Sequence, residues 1–286
     1  MAINYEHLLN YNLPDIEVEL TERDSMLYAL GVGVGTDPTD PVALQFAYED
    51  GLAAMPSMAV VLAHPGFWVK NPDTGIDWVK VLHGEQMMEI HRPLPTSGQL
   101  IGRSRVTEIY DKGAAKGALM YQERVVSDAR TGENICTLTA STFCRGDGGF
   151  EGGPTTPSPK PHALPEREPD GHLDLPTLPQ AALIYRLSGD YNPLHADPAV
   201  AKAAGFKAPI LHGLCTFGVA CHALVRTVCD GDPSRLRRQD VRFSSPVYPG
   251  ETIRTEYWQD GKTVSYRATV LERDVMVLNN GYAEVA

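Results

Sequence analysis

The chain has 286 residues, enough for two ordinary domains or one large one, and either can bury a full core. A composition of 43% hydrophobic and 21% charged residues excludes wholesale disorder and fibrous classes. Twenty-five basic residues against 36 acidic ones leave a net charge of −11, so neither nucleic acid nor an anionic membrane surface is an expected partner.

The first helix signal is Thr21-Glu-Arg-Asp24, a cap for a helix running through Leu30. A second helix is expected near Ser57–Ala63. Four strands follow, over Val79–Ile90, Leu100–Tyr110, Ala118–Ser127 and Ile135–Cys144. Residues 146–171 then hold six Gly and six Pro, a composition that sustains neither a helix nor a central strand. They divide the chain into domains 1–147 and 172–286, with 148–171 as a linker. Beyond the linker, Leu178–Leu187 has helical apolar spacing and Gly213–Cys229 is a longer apolar helix. Strands are expected over Leu236–Phe243, Thr252–Gln259, Thr263–Leu271 and Val275–Val285, with Asp260-Gly-Lys as a hairpin turn. Helices followed by a meander of strands, twice over, define an α+β chain rather than a doubly wound α/β sheet.

The halves echo each other. Tyr28-Ala-Leu-Gly…Asp37-Pro38 resembles Tyr185-Arg-Leu-Ser…Asp197-Pro198, and Pro93-Leu-Pro-Thr-Ser-Gly98 resembles Pro246-Val-Tyr-Pro-Gly250, in the same order. Such matches point to a duplicated domain.

Other features exclude chemistry. The cysteines, Cys136, Cys144, Cys215, Cys221 and Cys229, are odd in number and have no Cys-x-x-Cys pair, as expected of buried reduced thiols in a cytoplasmic protein. Nine histidines without His-x-x-x-His spacing imply no metal. No apolar run is long enough to cross a membrane, and neither terminus reads as a leader or an organelle address. Gly31-Val-Gly33-Val-Gly35 follows a helix and lacks the spacing of a phosphate loop. His64, His91 and His222 read as packed or surface histidines, and His83-Gly84-Glu85 as a strand residue with a structural ion pair.

The densest polar cluster is Tyr185-Arg186-Leu-Ser-Gly189-Asp190-Tyr191-Asn192-Pro193-Leu-His195-Ala-Asp197. Gly189 ends the helical pattern, and Asp190, Asn192 and His195 fall on a tight Pro-containing loop. A carboxylate and an imidazole five residues apart there can converge on one water as general acid and base. The alternative is a turn whose Asp and Asn merely cap the backbone. Downstream, His212-Gly213-Leu214 opens an apolar helix, whose free N–H groups suit an anion. The alternative there is a small residue needed for packing.

These residues resemble a known family. Tyr-x-Leu-Ser-Gly-Asp-x-Asn-Pro-Leu-His, with Gly205–Gly218 and Pro246–Gly250, is similar to the hydratase 2 signature of the MaoC-like (R)-specific enoyl-CoA hydratases. Tyr28–Gly33, Phe46-Ala-Tyr-Glu49, Val81–Gln86 and Pro93-Leu-Pro resemble the hydratase 2 portion of peroxisomal multifunctional enzyme type 2. The resemblance implies a double hot-dog, two sheets each wrapped on a central helix. It implies reversible hydration of trans-2-enoyl-CoA to the (3R)-3-hydroxyacyl-CoA at one site per chain, because the first-half stretch Leu30–Asp37 lacks the catalytic residues. The degenerate half then leaves room for a bulky acyl group.

In this reading His195 activates water, Asp190 passes the proton to Cα, Asn192 fixes the loop, and the Gly213 N–H takes the thioester oxygen. Glu49 helps from the first half. Substrate contacts fall to Arg186, Tyr191, Lys207, His212, Leu214, His83 and Gly84. The arginine-rich stretch Ser234–Arg242, Arg237 and Arg238 above all, is the candidate for the coenzyme A phosphates. Coenzyme A is part of the substrate and no separate cofactor is implied; a homodimer of whole chains is the expected assembly. Competing readings are a hydratase for a bulky steroid or aromatic enoyl group, a hot-dog thioesterase, and a non-catalytic acyl-CoA binder.

Overall fold

The computed structural model describes residues 3–286. Its regular elements are α1 (Tyr5–Leu9), β1 (Ile16–Leu20), α2 (Glu22–Gly31), α3 (Pro41–Leu44), β2 (Val81–Ile90), β3 (Gly98–Asp111), β4 (Ala118–Asp128) and β5 (Asn134–Cys144), followed by β6 (Gly171–Pro176), α4 (Ala181–Tyr185), α5 (Pro198–Ala203), α6 (Gly213–Thr227), β7 (Leu236–Phe243), β8 (Thr252–Asp260), β9 (Thr263–Val270) and β10 (Val275–Val285).

The ten strands form one antiparallel sheet in the order β1-β3-β4-β5-β2-β7-β10-β9-β8-β6. Read outward from the middle, the first half runs β2-β5-β4-β3-β1 and the second β7-β10-β9-β8-β6. The wiring is the same in both, as duplication requires. β2 and β7 join the halves, with Cα partners from Glu85↔Arg242 to Glu89↔Arg238. A large antiparallel sheet with few helices makes this an α+β double hot-dog.

Local chemistry explains the strong elements. Thr21 accepts from the Asp24 N–H, and the Asp24 carboxylate accepts from the Thr21 N–H, closing a capping box on α2. Every residue of α6 from Cys215 to Val225 is buried, so this helix is the apolar axis of the second half. The eight predicted strands all form, with ends shifted by at most two residues. Gly261, in the left-handed region (φ 64°), makes the predicted turn between β8 and β9.

Two expectations need correction. The second helix of the first half is only a six-residue 3₁₀ turn, Pro56–Val61. Its last residues are the β-branched pair Val60-Val61, and Pro65-Gly66 follows closely, so no α-helix can propagate. Edge strands β1 and β6 were not expected. β1 has the alternating sequence Ile-Glu-Val-Glu-Leu, and β6 begins at Gly171, where the Gly/Pro-rich stretch ends.

Between Cys144 and Gly171 there is no regular structure, yet the stretch is anchored. Phe150 is buried in the first-half core, the Asn280 amide donates to the His162 carbonyl, and Trp258 Nε1 donates to that of Arg167. All five cysteines are buried free thiols. No helix among the described residues is long and apolar enough to cross a membrane.

Candidate active site

The polar loop after α4 is rigid for local reasons. Gly189 adopts φ 122°, where a side chain would be strained. The Asp190 carboxylate accepts from the Asn192 N–H (3.1 Å), and the Asn192 side-chain oxygen accepts from the Leu194 N–H (3.1 Å). Asn192 thereby caps the 3₁₀ turn Pro193–His195, which carries His195 inward to 8% exposure. The cap reading of Asp190 and Asn192 is therefore correct in part, and the same cap positions His195.

His195 Nδ1–H donates to the Ile210 carbonyl at 2.9 Å, which leaves Nε2 as a free base. His212 Nε2–H donates to the Asp190 carbonyl at 3.1 Å, and its Nδ1 is buried without a partner. The two rings stack 3.8 Å apart at 28°. Side-chain donor atoms of Asp190, His195 and His212 all lie within 4.8 Å of one another.

Burial lowers the His195 pKa and holds that of His212 near 4, where the neighbouring His195 also disfavours a second positive charge. Both imidazoles are neutral at pH 7. A carboxylate with two neutral imidazoles is also a donor set a divalent ion can use. The same three groups can equally hold one water by hydrogen bonds.

Gly213 is the first residue of α6 and is exposed, and neither its N–H nor that of half-buried Leu214 has a protein acceptor among the described residues. A Cβ at Gly213 would stand 3.3 Å from the Phe243 ring. Packing and an open N–H therefore coexist at this position.

The first half contributes His83. β2 slips register between His83 and Glu85, a bulge at Gly84, where a Cβ would meet Ser141 Oγ at 2.8 Å. The bulge re-aims the His83 ring against Phe243, with centroids 4.7 Å apart, near enough to Asp190 to feel its charge. His83 is solvent-reachable yet crowded by protein, as in a crevice, and this desolvation drives its pKa down to about 4. The expected His83–Glu85 ion pair is absent. His83 Nε2–H donates to the Glu85 carbonyl, while the Glu85 carboxylate accepts from Tyr121 and Ser141.

Other candidates are placed more loosely. Arg186 lies over the Tyr191 ring (4.8 Å), which is 58% exposed, and exposed Lys207 lies over Tyr248 (4.3 Å), so both cations flank the loop.

Three candidates lie elsewhere. Arg238 is spent on Asp240 and the Tyr282 ring, and Arg237 precedes it on β7. Five or six residues separate them from Phe243, roughly 17–20 Å along the strand. Glu49 sits on an exposed turn whose flanks, Gln45 and Leu52, line a cavity of about 330 Å³ against Asp232 and Ser234. That cavity is beyond the C-terminal end of α6, about 20 Å from Gly213 by helix rise, and no catalytic-loop residue lines it.

Two crevice residues escaped the sequence reading. Phe243 is the ring that His83 and Gly213 share. His64, read as ordinary, is exposed at its surface yet crowded by protein, and this desolvation, with the nearby charges of Arg124 and His83, pushes its pKa to about 3. No local motif marks either residue, because the β2–β7 pairing that gathers the halves is long-range.

A rigid Asp/Asn/His loop over a helix N-terminus, on a double hot-dog, defines a lyase of the MaoC-like class. Residues 161–280 match the MaoC-like domain model, and 18–146 match the N-terminal domain model of multifunctional enzyme type 2 hydratase 2. A probable enoyl-CoA hydratase 2 from Dictyostelium discoideum is 40% identical over 294 residues, covering 99% of this chain and 97% of that protein. A solved MaoC-like dehydratase from Phytophthora capsici has a TM-score of 0.85 at 38% identity, with 99% of each chain covered. A Mycobacterium tuberculosis structure described as a double hot-dog shares the fold alone, with a TM-score of 0.58 at 14% identity over 96% of this chain and 93% of that one. The chain belongs to the MaoC-like hydratase 2 family.

Proposed function

We propose that the chain hydrates trans-2-enoyl-CoA reversibly to (3R)-3-hydroxyacyl-CoA. The observation that carries this reading is the convergence of Asp190 and His195 beside an open helix N-terminus. The matched relatives support enoyl-CoA as the substrate class. Water held between the pair loses a proton to His195 Nε2 as its oxygen bonds to Cβ. The C=C electrons move into the thioester, and the Gly213 N–H stabilises the resulting oxyanion. A proton is delivered to Cα through Asp190, so the pair gains none over the cycle. His195 must be neutral to begin, as its burial dictates.

Arg186 and Lys207 are the cations placed to meet coenzyme A phosphates in this reading, and His83 lines the path of the acyl group. Residues 148–171 link the two units in sequence, and the assembly is a homodimer in the cytoplasm. Size-exclusion chromatography tests the dimer.

One assay tests the reaction. Loss of the conjugated thioester absorbance of crotonyl-CoA without release of free thiol supports hydration. Thiol release instead identifies a thioesterase, and neither signal, on short or bulky enoyl-CoA alike, identifies a binder.

A further inference from the structure

Arg124 is an unusual residue to find inside the first half. It is 6% exposed, in the middle of β4, and its Nη2 donates to the Val60 carbonyl at 2.6 Å. Its Nε is buried with no partner, and Nη1 makes no hydrogen bond among the described residues. No carboxylate among the described residues pairs with this guanidinium. Burial lowers its pKa to about 10, and the group acting on it is Cys136, whose own burial keeps that thiol neutral. A buried cation without an anion is costly and calls for a partner.

The surroundings point the same way. Ser104 is the direct cross-strand neighbour of Arg124, so both side chains share a face, and Ser104 Oγ is likewise buried and unpartnered. His64 lies near enough for Arg124 to depress its pKa, and its Nδ1 accepts from the Gly66 N–H, which makes Nε2–H the outward donor. Guanidinium, hydroxyl and imidazole thus each present a donor, and none of the three is ionised as an anion.

This face of the sheet leads toward the crevice, with Trp68 donating to Gln122 on the way. Met120, Gln122 and Arg124 alternate on one side of β4, Met120 pairs with Thr142, and Thr142 pairs with His83. Four residues along β4 and two strand spacings put Arg124 roughly 16 Å from His83. The six-residue 3₁₀ turn stands where a full helix would otherwise cover this face.

We propose that Arg124, Ser104 and His64 form a carboxylate-accepting subsite for the distal end of the acyl group. The favoured substrate class is then a medium-to-long enoyl-CoA ending in a carboxylate, and this rests on the enoyl-CoA reading above. Guanidinium binds carboxylate through paired, charge-assisted hydrogen bonds.

The test compares hydration of plain and ω-carboxy enoyl-CoA thioesters of several lengths, with crotonyl-CoA as the reference. The wild type is expected to favour the ω-carboxy form in kcat/KM by about tenfold or more at the length that spans crevice to subsite. Arg124→Met should erase that preference and Ser104→Ala should reduce it. The methionine variant is expected to fold, since an apolar replacement of a buried charge is often neutral or stabilising. A free long-chain α,ω-diacid should raise the thermal midpoint of the wild type more than the matching monoacid, and should not do so for Arg124→Met. No ω-carboxy preference in the wild type, or one that survives Arg124→Met, overturns the subsite. Failure on every enoyl-CoA tested, plain or ω-carboxy, would overturn the reaction instead, while the diacid shift still decides the subsite.

Discussion

After Tyr28 the chain reads Ala-Leu-Gly-Val-Gly-Val-Gly-Thr-Asp; after Tyr185 it reads Arg-Leu-Ser-Gly-Asp-Tyr-Asn-Pro-Leu-His. Both tyrosines are fully buried, and their rings lie 5.7 Å apart across the contact between halves. The same starting point leads to different ends. In the second half, Gly189 and Pro193 build a rigid loop that presents Asp190 and His195 to the start of a 15-residue helix. In the first half, glycines replace those groups, and the matching helix is a six-residue turn. The two halves share one strand wiring, but the Asp/Asn/His loop stands in only one of them. The other half has a six-residue turn in place of the long helix and keeps the sheet.

The largest expected effect breaks the second half directly. Asp190→Asn and His195→Ala should each lower kcat by roughly 10²–10⁴, as befits loss of a general acid or base, with little change in the thermal midpoint. Circular dichroism melts alongside initial rates check this. The same scale should not apply at Glu49. Exposed on a turn and hydrogen-bonded to no residue of the catalytic loop among the described residues, Glu49→Gln should change kcat/KM less than about threefold, roughly the level of an unrelated surface substitution.

A second test strains the contact between halves. A Cβ on Gly218 would stand 2.5 Å from Val32 Cγ1 and 3.0 Å from Tyr28 Oη. Gly218→Ala should cost about 1–3 kcal/mol of stability through overpacking. Val32→Ala in the same chain should return part of it, read by denaturant unfolding.

A further effect is on pH. His212 and His222 are buried, with folded pKa values held near 4 by desolvation, against 6.5 for the free group. A lowered histidine pKa means that the unfolded chain binds protons first as pH falls. Stability from these groups is therefore intact above about 6.5 and declines through the window from 6.5 to 4. Urea midpoints at successive pH values should fall across that window, and His222→Phe should flatten the slope.

Much of this was legible in the residues. The strands read clearly because runs of strand-forming residues are bounded by turn signals, as at Asp260-Gly261 between β8 and β9. The five-residue spacing from Asp190 to His195 placed both groups on one loop, since Gly189 and Pro193 leave the backbone little freedom. What failed to show depended on distant partners. β1 and β6 are edge strands that draw their order from β3 and β8. The helix expected near Ser57 followed apolar spacing that Val60-Val61 and Pro65-Gly66 override. His83 and His64 gained their places only through the pairing of β2 with β7. Arg237 and Arg238 formed the densest basic run, but strand geometry carried them away from the loop.

The most direct test of the central claim is stereochemical. An enoyl-CoA is supplied with a dehydrogenase specific for (R)-3-hydroxyacyl-CoA, and nicotinamide reduction is followed for the wild type, Asp190→Asn and His195→Ala. The account predicts turnover in the wild type only, with no signal from an (S)-specific dehydrogenase. An (S) product, or turnover that survives both substitutions, would contradict it.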